Sequence, residues 1–186
     1  MFDGSDTVVL YDELAYQDVL PVLWRVLPGA IDQALAAGYA ERNVRVLQAC
    51  AAVEEHAGSE KPDEVSPELL RLDFKLNLVL QLLGKLVSRE RMPAAASINF
   101  NAHGASWTVI GPAPESGEQG VLRIYLHESL PQPLELLATI SAVEGALVRA
   151  HFESMPDGVG ELIQRLAFLC HRRDVADARK SRSSAA

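Results

Sequence analysis

The stretch AASINFNAHGASWTVI, Ala95–Ile110, holds two short runs with a period of two, Ala95–Phe100 and Ala105–Ile110, on either side of Asn101-Ala102-His103-Gly104. A period of two sets alternate side chains on opposite faces, so these runs are expected to be half-buried strands joined by a turn. Three more such runs follow, Val121–His127, Leu134–Ile140 and Ala146–Phe152. Leu122, Ile124 and Leu126 alternate plainly, as do Leu134, Leu136 and Ala138. The loop GPAPESGEQG separates the second run from the third, and SAVEG has the length and the glycine of a hairpin loop between the last two. Five short strands at this spacing predict a small antiparallel barrel.

Past the turn signal Met155-Pro156-Asp157-Gly158, the residues Leu162, Ile163, Leu166, Ala167, Leu169 and Cys170 form one apolar helical face, suited to closing an end of the barrel. Arg172, Arg173, Arg179, Lys180 and Arg182 favour the C-terminal end of that helix electrostatically, and residues 181–186, SRSSAA, have the composition of a disordered tail.

Upstream of the strands the period changes. Ser66–Arg91, SPELLRLDFKLNLVLQLLGKLVSRER, reads as one long helix, with Ser66 as N-cap, Pro67 at the first helical position and Val65 with Leu70 as a hydrophobic staple. Leu69, Leu72, Leu76, Val79, Leu83 and Leu86 follow with gaps alternating three and four, the spacing of a coiled-coil seam. Leu80, Leu82 and Val87 widen the seam beyond what a two-stranded coil buries, and leucine at the a positions with Val79 at one d leans towards a tetramer. Packing against the chain's own first helix would need the same periodicity. Leu70, Phe74 and Leu78 lie off the seam, however, so the helix is apolar on two faces and calls for partners from its own chain and from another.

Residues 30–56 also read as helical, with Ala40, Val44, Leu47 and Ala51 on one face and Val46, Cys50 and Val53 beside it. Gly38 weakens the first turns by about 1 kcal/mol relative to alanine and points to a start nearer Tyr39. Gly58–Val65, GSEKPDEV, has the composition of a surface connection, so the two helices are expected to form a hairpin. Residues 1–29 read as an acidic leader followed by a docked segment around Val22, Leu23 and Trp24. Asp3, Asp6, Asp12, Glu13 and Asp18 all precede the first basic residue, Arg25. Pro21 and Pro28 exclude one long helix there, and Val8–Tyr11 reads equally as a short strand. The expected organisation is an α+β chain: leader 1–29, helical hairpin 30–91, barrel with closing helix 92–180, and tail 181–186.

The 186 residues, 48% of them hydrophobic, with near-neutral mean hydropathy, are those of an ordinary water-soluble protein. A net charge of -8 argues against nucleic acid, whose phosphates require a basic face. Met1 is followed by FDGSD rather than a basic segment, and no apolar run is long enough to span a bilayer, so a cytoplasmic location without membrane insertion is expected. Cys50 and Cys170 stand alone among apolar neighbours and are expected to be reduced. His56, His103, His127, His151 and His171 are scattered without the H-E-x-x-H pairing of a zinc site. No G-x-S-x-G elbow occurs, and the loop Ser116–Gly120 lacks the lysine of a phosphate-binding loop. No metal, no cofactor and no catalysis are expected.

The informative motif is Asn99-Phe100-Asn101-Ala102-His103-Gly104. This N-x-N-x-x-G turn resembles the [D/N]-x-S-x-x-G of the PilZ domain, the bacterial receptor module for cyclic di-GMP. The strand pair in LPQPLELLATISAVEGALVRAHF and the closing helix after FESMPDGVGELIQRLAFLCHRR extend the resemblance over about half the chain. In that family the nucleotide is held between the turn and an upstream R-x-x-x-R, whose guanidinium groups grip phosphates and guanine edges with paired hydrogen bonds. Asn99 matches the first motif position and Gly104 the last, while Asn101 stands where the family has serine.

Arg89 and Arg91, spaced R-x-R at the end of the seam helix, are the only arginines close ahead of the first strand, and they leave no room for the extra strand that the family sets between arginines and turn. The resemblance therefore implies a missing clamp and cyclic di-GMP as a weak ligand or none. Seam and degraded motif together resemble the atypical PilZ proteins of xanthomonad-type bacteria that self-assemble as tetramers through heptad helices. That resemblance implies a signalling or scaffold component acting on an unidentified protein partner, in type IV pilus motility or virulence. The alternative is a working receptor in which Arg89 and Arg91 of a neighbouring subunit reach the Asn99–Gly104 turn.

Overall fold

The computed structural model describes residues 9–11, 13–29, 31–57, 68, 71–72, 75–76, 78–79, 92–127, 130, 132–153 and 155–184. In chain order the elements are β1 (Val9–Leu10), β2 (Glu13–Leu14), β3 (Tyr16–Val26), α1 (Gln33–Ala57), β4 (Ala95–Phe100), β5 (Gly104–Thr108), β6 (Gln119–Ile124), β7 (Leu134–Glu144), β8 (Leu147–Phe152) and α2 (Asp157–Ser184). Six strands close an antiparallel barrel in the order β3-β4-β5-β8-β7-β6, while β1 and β2 pair only with each other. The fold is α+β.

The strand missing from the sequence reading is β3, expected to be a docked segment outside the barrel. Residues 16–21 pair with β4 and residues 22–26 with β6. Pro21 sits at the hand-over between the two partners, where a residue without an N–H interrupts the ladder least. Leu20, Val22 and Trp24 pack inward, but Val19 and Leu23 face outward at 65% and 41% exposure. Apolar residues on both faces hide the period-two signal. The boundary at residue 29 thus cuts off a strand that belongs to the barrel. That strand lies next to β4 in the sheet although residues 27–94 separate the two in the chain.

Three further expectations need correction. Asp32 caps α1, accepting the Leu35 N–H at 2.7 Å through Oδ1, so the helix starts at Gln33 and takes Gly38 into its second turn. SAVE continues β7 through a bulge between Ile140 and Ala142, and the hairpin turns instead at Gly145, whose φ of 62° suits glycine. Helix α2 runs on to Ser184, four residues into the stretch expected to be disordered.

One core serves barrel and helices. Ile98, Phe100, Leu122, Ile124, Leu134, Ile140 and Val148 fill the barrel, and Leu47 of α1 with Val159 and Ile163 of α2 join the same cluster. Helix α1 lies against α2 and β7. Its Asn43, buried, ties it to the backbone of Glu135, and Arg42 reaches the Glu135 carboxylate at 3.4 Å, which Arg123 holds at 2.9 Å from the other side. Cys50 and Cys170 are buried and form no disulfide.

Glu68, Arg71, Leu72, Lys75, Leu76, Leu78 and Val79 are helical, as the seam predicts. Within the single chain, Leu72, Leu76 and Val79 are 64%, 57% and 50% exposed. Leu69, Leu83, Leu86, the Ser66-Pro67 cap and the Gly58–Val65 connection lie outside the described residues, as do Arg89 and Arg91. No described helix is long and apolar enough to cross a membrane.

Candidate ligand turn

The Asn99–Gly104 motif closes the β4–β5 hairpin. Phe100 pairs with Ala105, and the Asn101 N–H donates to the Gly104 carbonyl at 3.0 Å. The side chain of Asn101 is 1% exposed, and its Oδ1 accepts the backbone N–H groups of His103 at 2.9 Å and Gly104 at 3.3 Å. Its Nδ2 donates to the carbonyl of Leu10. A serine hydroxyl has one donor on a shorter arm. Asparagine supplies an acceptor for the turn and separate donors for a second segment, so here the departure from the family's serine has a local structural use.

Gly104 is required by close approach. A Cβ there would lie 2.3 Å from the Ala150 carbonyl oxygen and 2.7 Å from Cε2 of Tyr11. The Tyr11 ring lies against the His151 ring, centroids 4.5 Å apart and planes inclined at 33°. Beside them, Glu13 Oε1 meets His103 Nε2 at 3.0 Å, and Gln164 of α2 donates to Glu13 Oε2 at 3.2 Å. The His103 hydrogen bond, with help from Gln164 and against a smaller cost of burial, holds the Glu13 carboxyl below its ordinary value of 4.5. Asn99 pairs across to Gln17 and Ser106, and its Oδ1 is buried without a hydrogen-bond partner.

Of the five residues expected to touch a ligand, Asn99, Asn101 and Gly104 therefore meet at one turn, while Arg89 and Arg91 lie outside the described residues. The sequence reading missed Leu10, Tyr11 and Glu13, which cover that turn from some ninety residues away. Their one signal was the short apolar run at Val8–Tyr11. A groove of about 400 Å³ lies elsewhere, between Trp24, Trp107, Pro93, Ile110 and Pro114, and no turn residue lines it.

The family model of the atypical PilZ domain, cyclic di-GMP receptor, matches residues 45–180. Among solved structures the chain is similar to a tetrameric PilZ domain, a pathogenic protein from Xanthomonas campestris that self-assembles through a helical bundle. The likeness has a TM-score of 0.67 at 24% identity and covers 90% of this chain and 93% of that one. No curated protein matches.

Proposed function

Starting from the atypical PilZ family, to which this chain belongs, we propose that it is a non-enzymatic scaffold of cyclic di-GMP signalling, working by self-assembly and protein contact, with weak or absent nucleotide binding. The observation that carries this reading is the exposure of Leu72, Leu76 and Val79, three consecutive seam positions, each of them helical. Burying three such side chains against another copy is worth about 1.5 to 3 kcal/mol each. Repeated across Leu69 to Leu86, that suffices to assemble a bundle. The Xanthomonas campestris neighbour, a tetramer built through a helical bundle, supports four as the copy number.

The nucleotide side of the reading rests on order along the chain. With β3 as the strand ahead of the turn, an arginine clamp of the family's kind would precede Tyr16, and residues 1–15 contain no arginine or lysine. Arg89 and Arg91 come after that strand instead. Each charge-assisted bond lost with the clamp removes on the order of 1.5 to 3 kcal/mol, and the Oδ1 of Asn101 is already taken up within the turn by the N–H groups of His103 and Gly104. Output then passes to a protein partner in the cytoplasm, with type IV pilus motility or virulence as the setting.

Calorimetric titration with cyclic di-GMP, together with light scattering, tests the reading. The expected result is an oligomer at micromolar concentration with no heat of binding. A monomer would overturn the scaffold. Micromolar binding that disappears in Arg91→Ala would establish the receptor alternative.

A further inference from the structure

We infer that β1 and β2 form a releasable strap, a built-in competitor for the surface of the Asn99–Gly104 turn. The inference rests on reading that turn as the family's ligand turn. Among the described residues, Leu10, Tyr11 and Glu13 of the strap touch the turn. The Leu10 carbonyl takes the Asn101 Nδ2 donor, the Tyr11 ring lies over Gly104 and His151, and Glu13 engages His103. A ligand held at that turn would have to displace these contacts.

Two features make the docking reversible. First, β1 and β2 hydrogen-bond to each other and not to the barrel sheet, so lifting them breaks no barrel ladder. A lone two-stranded hairpin is marginal in water and depends on what it rests on. Second, the strap carries its own opposition. Tyr11, which follows the Leu10–Glu13 pair's first residue, has a φ of 52°, a conformation suited to glycine or asparagine. The Tyr11 hydroxyl is also buried without a hydrogen-bond partner. A segment selected only to cap the barrel would carry neither burden. A cover that must lift is helped by both.

Hydrogen exchange and nuclear magnetic resonance on the full chain test this, comparing the unmodified protein with Tyr11→Phe and Glu13→Gln. In the unmodified protein the His151 ring resonances are expected to be displaced by the Tyr11 ring current. Strap amides are expected to exchange at least about tenfold faster than those of β6 and β7, with little dependence on denaturant. Removing the stranded hydroxyl in Tyr11→Phe should slow strap exchange about tenfold, and Glu13→Gln should speed it, with β6 and β7 unchanged in both. Strap amides that exchange at the barrel's rate and with its denaturant dependence would overturn the inference, as would undisplaced His151 resonances in the unmodified protein. Neither readout depends on oligomer size or nucleotide affinity, so failure here leaves the scaffold reading standing, and failure of that reading leaves the strap intact.

Discussion

The carboxamide of Asn43 exchanges two hydrogen bonds with the backbone of Glu135: Nδ2 donates to the carbonyl at 2.7 Å and Oδ1 accepts the N–H at 2.9 Å. Glu135 pairs with Arg123 of β6 on one side, but β8 pairs with β7 only from Ala138 onward, so among the described residues no strand pairs with Glu135 on its other side. Asn43 serves as a one-residue substitute, and through it α1 is fixed to the barrel. Asn43→Ala leaves a backbone donor and acceptor unpaired and should cost about 2 to 4 kcal/mol in urea denaturation. Asn43→Asp retains the acceptor but loses the donor and sets a carboxylate beside Glu135, so it should not restore stability. A loss under 0.5 kcal/mol in both variants would show that the clamp contributes little.

Asn43 also marks where sequence reading stops. The apolar face of α1 is legible from spacing because helical period and burial coincide, but a lone asparagine within it looks like a solvent residue until β7 is seen beside it. The barrel was legible for the same reason wherever one face was apolar and the other polar, as at Leu122, Ile124 and Leu126. Strand β3 escaped because Val19 and Leu23 put apolar side chains on its outer face. At the turn, Asn99 and Gly104 were visible by motif. The role of Asn101 was not, since a residue departing from the family's serine reads as damage until its bond to Leu10 is in view.

Leu76 sits on an exposed helical face at 57% exposure, so an aspartate there costs the isolated chain little beyond helix propensity, about 0.5 kcal/mol. In a bundle the same carboxylate would be buried without a partner from every copy. Leu76→Asp should therefore yield a folded monomer, with barrel circular dichroism unchanged and light scattering at the single-chain mass of 20.2 kDa. An oligomer of unaltered size would remove this face from the interface.

Gly104→Ala forces a methyl group against the Ala150 carbonyl oxygen, a backbone atom within the β5–β8 ladder that cannot swing aside. Overpacking of this kind costs about 1 to 3 kcal/mol. The second clash, with the Tyr11 ring, can be relieved by lifting the strap, so the His151 resonances should lose their displacement as stability falls. Gly158→Ala is the matched control. It adds a methyl group where nothing lies within 4 Å, at a helical position, and should be neutral or slightly stabilising. Equal melting temperatures for the two variants would contradict the close approach at Gly104.

Glu13 gives strap docking a pH dependence of definite sign. Its carboxyl is held below 4.5 in the docked state, chiefly by the hydrogen bond to His103, and returns to its ordinary value when the strap lifts. A lowered value means that the docked form prefers the carboxylate, so the contribution is fully present above 4.5 and is lost as pH falls through the lowered value. The Asn101 side-chain amide, bonded to Leu10, reports docking directly. Its resonance should hold steady above pH 4.5 and move towards that of a solvated amide below it, ahead of any change in β6 and β7. In Glu13→Gln the carboxylate is absent at every pH, so the acid shift should vanish and the resonance should start nearer its undocked position. An acid transition of the same size in that variant would assign the effect to global unfolding and away from the Glu13–His103 pair.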